Sequence, residues 1–193
     1  MLMLLKKRST IISLILAVIF AASSYYYFAI YNSVRDLYVS SDYIGYPTGK
    51  ALFSNAELVV VGSPLKDFED RELHLSRFSN GALEDIATFT EIDVEKVIKG
   101  PEEDTTNLKV YEPIGVYQTF KGKERIAFEG YTAMKKGSKY LIFLSKNTYG
   151  QYSVINMQSG KFNMDGTDHE DMGEDSHNKQ RIFAELKSSE YLQ

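Results

Sequence analysis

Hydrophobic and polar positions alternate in three different rhythms along this chain, and each rhythm predicts a different element. From Ile11 to Tyr31, IISLILAVIFAASSYYYFAIY, 21 consecutive positions carry no charge. As a helix rising 1.5 Å per residue, such a run covers about 30 Å, the thickness of a bilayer's hydrocarbon core. From Phe89 to Gly100, FTEIDVEKVIKG, the rhythm has a period of two. Ile92 and Val94 point one way, and Glu91, Asp93 and Glu95 point the other, as in a strand with one face buried. From His177 to Tyr191, Ile182, Phe183 and Leu186 return at helical spacing.

The period-two stretch is the longest strand signal, and the rest of the domain is read around it. The predicted central strand runs from Ile86 to Lys99. Its alternation fails at Lys96-Val97-Ile98, where two apolar residues adjoin, and a bulge there would bend and twist the strand. Further strands are predicted at Glu57–Gly62, Asn107–Tyr111, Ile126–Tyr131, Tyr140–Leu144, Tyr152–Asn156 and Lys161–Met164, separated by Gly, Pro and Asn turn signals. Tyr140–Leu144 has no polar partner positions and reads as buried on both faces. Thr48–Asn55 reads as a helical turn, and 64–82 as a long excursion or extended hairpin arm. Short, bent strands of this kind predict a mainly β fold, an OB-like barrel of at least five strands with a C-terminal helix.

The predicted organisation is a basic segment at 1–8, a transmembrane helix at 9–31, a linker at 32–50, a barrel at 51–164, an acidic loop at 165–176 and a helix at 177–193. Lys6, Lys7 and Arg8 precede the apolar run, which predicts a cytoplasmic N-terminus and an extracellular C-terminal domain at the plasma membrane. Tyr25, Tyr26, Tyr27 and Tyr31 cluster at the far end of the span, where aromatic rings anchor at headgroups. The small residues Ala21, Ala22, Ser23 and Ser24 offer a cleavage site, so a secreted form lacking residues 1–24 is the rival reading. Apolar character continues through Tyr31, which favours the uncleaved anchor.

Charge and composition narrow the function classes. The net charge is −4. Residues 1–31 contribute +3, which leaves −7 on the remainder. An acidic domain of this kind is a poor nucleic-acid binder, because phosphate contacts need clustered Lys and Arg. There is no cysteine, which removes disulfides, thiolate metal sites, thiol catalysis and a lipidated cysteine. Eukaryotic exported domains commonly use disulfides, so an exported domain without cysteine points to a bacterial envelope.

With those residues in place, a family resemblance emerges. Ala56-Glu57-Leu58-Val59-Val60-Val61-Gly62, Thr90–Glu102 ending in Lys99-Gly100-Pro101, and Leu108-Lys109-Val110 resemble netrin-like modules, which include the tissue inhibitors of metalloproteinases. Gly137-Ser138-Lys139-Tyr140-Leu141-Ile142 resembles another strand of that family, so the likeness covers residues 56–145. It implies an OB-type five-stranded barrel with a helix. The inhibitors chelate protease zinc with an N-terminal cysteine. This chain has none, and its barrel follows the predicted anchor helix, so their mechanism does not carry over.

Candidate chemistry is sparse. The row Glu91, Asp93, Glu95 places carboxylates about 7 Å apart on one strand face, a spacing that could serve an inverting hydrolase or a Ca2+ site. A solvated face is the simpler reading. Asp165, Asp168, His169, Glu170, Asp171, Glu174, Asp175 and His177 form a dense run that matches neither EF-hand nor zincin spacing. It reads as a mobile acidic loop without a bound metal, and replacing Asp168, His169 and Asp171 together with Ala is expected to leave thermal stability unchanged in either EDTA or added Ca2+. Three histidines and the absence of nucleophile-elbow, P-loop or dinucleotide motifs argue for a non-enzyme without metal or cofactor. The remaining candidate is a surface of aromatics interleaved with base: Tyr117, Phe120, Lys121, Lys123, Arg125 and Tyr131. It could meet an envelope protein, an anionic polymer or lipid headgroups. The sequence thus predicts a membrane-anchored extracytoplasmic binding domain, with a protease-inhibitor-like module and a carboxylate-dependent hydrolase as alternatives.

Overall fold

A computed structural model describes residues 2–171 and 176–192. The chain forms two compact units. One comprises the residues up to Asp36 together with Tyr117–Arg125; the other comprises Leu37–Val116 and the residues from Ile126 onward.

The larger unit is a closed five-stranded barrel. Its strands are β2 (Leu58–Pro64), β4 (Leu83–Lys99), β5 (Lys109–Glu112), β8 (Tyr140–Lys146) and β9 (Tyr152–Val154). They pair in the ring β8-β2-β4-β5-β9-β8. The β5–β9 pairing is parallel, Tyr111 against Ser153, and the other ring pairings are antiparallel. Counted along the chain, the barrel strands neighbour one another in the order 1-2-3-5-4-1, with the third and fifth parallel, which is the OB arrangement. β3 (Glu72–Arg77) extends the sheet by pairing with the first half of β4, and β10 (Lys161–Asn163) adds to β8. The excursion predicted over 64–82 is therefore a hairpin arm.

β2 and β8 are buried on both faces, which explains their unbroken apolar runs. Leu58, Val60, Ile142 and Leu144 face the barrel interior with Ile92 and Val110. Val59, Leu141 and Phe143 face outward into a second core with Phe162 and the helix residues Ile182 and Leu186. That outer layer is roofed by α2 (Gly49–Asn55) and α3 (Ser176–Ser188). Thr48 caps α2, its Oγ1 accepting from Ala51 N at 3.1 Å. The two buried faces of β2 and β8 are the reason the fold needs a helical layer at all.

The break in alternation on β4 is a bulged stretch. Val60 lies opposite Val97 while Val59 lies opposite Lys99, so Ile98 has no partner, and a second shift leaves out Glu95 opposite Val61/Gly62. At this crossing a Cβ on Gly62 would come within 2.6 Å of the Asp93 carbonyl oxygen. Only glycine permits so close an approach of two backbones.

The smaller unit begins with α1 (Leu2–Tyr25), which continues as a π-helical turn over Tyr26–Tyr31. The side chains of Lys6, Lys7 and Arg8 lie outside those described. The segment Thr10–Tyr31 is long and apolar enough to cross a membrane, with a mean hydropathy of 1.9 and none of it buried by protein. β1 (Val34–Val39), β7 (Gly122–Phe128) and β6 (Ile114–Thr119) make a three-stranded sheet in the order β1-β7-β6. Two sequence expectations change here. The linker predicted over 32–50 carries β1 and the start of α2. The stretch between the predicted strands Asn107–Tyr111 and Ile126–Tyr131, where Pro113 and Gly115 are the turn signals, holds strand β6, because Gly115 does not stop a strand; its missing Cβ makes room for Ile86 and Leu73.

Candidate functional site

Three places hold chemistry. The first is an open groove of about 500 Å³ on the β4–β5 face, lined in part by Leu65, Glu91, Asp93, Val94, Asn107 and Lys109. This face carries the carboxylate row. Lys66 Nζ donates to Glu91 at 2.9 Å, and Lys139 Nζ lies 2.6 Å from Glu95. Asp93 stays exposed between them. The bond from Lys66 holds the Glu91 carboxyl below the usual carboxylate range. A general acid needs the opposite shift, so the hydrolase alternative finds no support in this row.

The second is the β6–β7 hairpin tip, where the structure gathers five of the six surface residues named from sequence. Phe120 stands at the tip, 74% exposed, with Lys121 Nζ 5.5 Å from its ring centroid. The tip closes on the end of the apolar helix. Tyr26 Oη donates to the Phe120 carbonyl at 2.8 Å, Gln118 Nε2 to the Tyr31 carbonyl at 3.0 Å, and Lys123 N to the Ser33 carbonyl at 2.7 Å. Gly122 has φ +114°, and a Cβ there would meet Ser33 Oγ at 2.6 Å and the Ile30 carbonyl at 2.8 Å. Glycine is required at the tip both for that backbone conformation and for that contact. Behind the tip, Arg35 pairs with Glu124, Tyr117 Oη donates to Glu124 at 2.5 Å, and Arg125 lies 3.4 Å from Asp36. Tyr117, then Arg35, hold the Glu124 carboxyl low. Lys121 and Lys123 form no ion pair among the described residues.

Tyr131 does not belong to this surface. It is 1% exposed in the barrel core, where its hydroxyl donates to Glu112 Oε2 at 2.9 Å. Glu112 in turn pairs with Arg71 at 2.9 Å, both side chains buried. Met134 N and the Thr90 hydroxyl also donate to Glu112, and Arg71 donates to the carbonyls of Lys66 and Met134. Every polar atom of this buried pair is thereby met, as a charge in a core demands. Sequence reasoning missed it. The only signal was one Glu at the end of a strand and one Arg in a charged excursion.

The third is the acidic run. Its described part is tied down rather than mobile, and Asp171 is 2% exposed. Lys161 Nζ reaches Asp171 Oδ1 at 2.5 Å, Lys179 Nζ reaches Oδ2 at 2.9 Å, and Asn163 N donates to Oδ2 at 2.8 Å. Asp168 is also buried and accepts from Tyr140 Oη at 2.5 Å. Burial opposes the Asp171 carboxylate, but the Lys161 and Lys179 charges outweigh it and keep its pKa low. Burial, reinforced by the Lys161 charge, pushes the Lys179 ammonium down to about 7. The structure argues against the expectation that Asp168 and Asp171 are dispensable, because Asp171 clasps β10 to α3 while Asp168 holds Tyr140 of β8. Glu174 and Asp175 of the run lie outside the described residues. Among the described residues, no group of three His, Asp or Glu side chains is placed to hold a metal ion.

No protein-family model matches this chain, and no curated protein is found similar to it.

Proposed function

We propose that the chain is a membrane-anchored binding domain of the bacterial cell envelope, with a cytoplasmic N-terminus and the OB-like barrel outside. The observation that carries this reading is the helix Thr10–Tyr31, whose large apolar side chains are exposed on every side; Leu14, Leu16, Val18 and Phe20 are each more than 60% exposed. A soluble core helix would bury one face. An apolar helix without a protein covering is at home in lipid. The basic cluster before it favours an N-inside orientation, and the tyrosines at its far end suit a headgroup layer. The barrel supplies the binding part, through the β4–β5 groove. Its mixed lining, apolar at Leu65 and Val94 and anionic at Asp93, suits a protein segment better than an anionic polymer.

Because the chain has no cysteine, single cysteines report its topology directly. In intact cells, a membrane-impermeant maleimide should label Asn80→Cys in the turn between β3 and β4, and should label Met3→Cys only after lysis. The reverse pattern would overturn the orientation. Release of the chain from membranes by alkaline carbonate would overturn the anchor.

A further inference from the structure

We propose that the β6–β7 hairpin tip, Phe120-Lys121, is a second membrane contact that seats in the headgroup layer beside the anchor helix. This rests on the reading of Thr10–Tyr31 as a membrane span. Tyr26 lies five residues before the end of that span, about 7 Å of helix from it. Its hydroxyl holds the Phe120 carbonyl, and Gly122 lies against the Ile30 carbonyl. A tip bound at that height cannot stand clear of a bilayer that the helix crosses.

Its chemistry suits that place. Backbone groups that reach the hydrocarbon must be satisfied within the protein, because no water is there to do it. Here the Phe120 carbonyl accepts from Tyr26, the Tyr31 carbonyl from Gln118, and the Ile30 carbonyl from Ser33 N and Ser33 Oγ. Phe120 projects an uncovered ring, and Tyr25, Tyr27 and Phe28 on the helix are exposed as well, the residue types that belt a membrane interface. Around the tip, Arg35 and Arg125 are neutralised by Glu124 and Asp36. The ammonium groups of Lys121 and Lys123, which form no ion pair among the described residues, are left for lipid phosphates, each such residue adding attraction to an anionic surface. The contact is therefore to a lipid surface bearing anionic headgroups.

The chain contains no tryptophan, so one introduced indole reports on one place. The full chain would be reconstituted into vesicles of phosphatidylcholine with or without phosphatidylglycerol, carrying a quencher either near the headgroups or deep in the acyl chains. Phe20→Trp, within the span, should be quenched most by the deep label. Phe120→Trp should be quenched most by the shallow label and show blue-shifted emission. Adding Lys121→Glu and Lys123→Glu to Phe120→Trp should weaken its shallow quenching at least twofold in phosphatidylglycerol vesicles and little in phosphatidylcholine alone. Loss of quenching at Phe20→Trp would defeat the anchor reading. Quenching at Phe20→Trp together with a water-exposed Phe120→Trp would defeat the tip contact and leave the anchor standing. Equal effects of the two Glu substitutions in both vesicle types would remove the lysines from it.

Discussion

Asp171 faces two ammonium groups, and that ratio decides what each substitution does. Removing the carboxylate leaves Lys161 and Lys179 buried with no anion between them among the described residues. Asp171→Asn is expected to cost about 3–5 kcal/mol, as breaking a buried pair does. Removing Lys179 instead leaves a one-to-one pair, so Lys179→Met should cost far less, within about 1 kcal/mol. Urea unfolding at neutral pH separates the two, and equal losses would contradict the clasp as described. The pH dependence has a definite direction. Folding lowers the Lys179 pKa to about 7, against about 10.4 in an unfolded chain. Between those values the unfolded state binds a proton that the folded state does not, so stability rises with pH over that window. Lys179→Met should flatten the rise, which urea midpoints at a series of pH values would show. At the other buried pair, Glu112→Gln leaves Arg71 uncompensated in the barrel core and is likewise expected to cost about 3–5 kcal/mol.

Among the elements, β8 carries the most weight, because Tyr140, Ile142 and Leu144 fill the barrel while Leu141 and Phe143 hold the helical layer. Phe143 meets Phe162 edge to face at 5.9 Å. Phe143→Ala is expected to cost about 3–5 kcal/mol in urea unfolding. Gly62→Val, at the bulged crossing of β2 and β4, should cost at least about 1–3 kcal/mol by overpacking. Elements with a clear burial rhythm were legible from sequence: β2, the core of β4 with a bulge at Ile98, β8 and the apolar face of α3. β1 was not, since Val34, Tyr38 and Val39 are exposed and no alternation marks it. β6 was hidden by Pro113 and Gly115, which read locally as stops. The clasp of Lys161, Asp171 and Lys179 was hidden for a different reason. A charge buried by distant partners has the same local sequence as a charge in water, and only the fold brings residue 161 to residue 179.

For the whole molecule, retention of the anchor is the first thing to measure. The protein purified from membranes should retain residues 1–24, which peptide mapping by mass spectrometry would show; a product lacking them would establish the secreted form instead. The barrel itself has an uneven circumference. β2 pairs with β4 and with β8 over long registers, whereas β5 meets β9 through a single pair, Tyr111 and Ser153. Asp104, which takes hydrogen bonds from Tyr152 at 2.6 Å and Lys146 at 3.0 Å, braces that side from the surface. The ring is only as durable as its shortest pairing. Amide deuterium uptake should therefore begin along β9 and the facing edge of β5, while the amides of β2 and β8 exchange only when the whole domain unfolds. The cylinder should breathe by parting along one seam, as a scroll opens along its free margin.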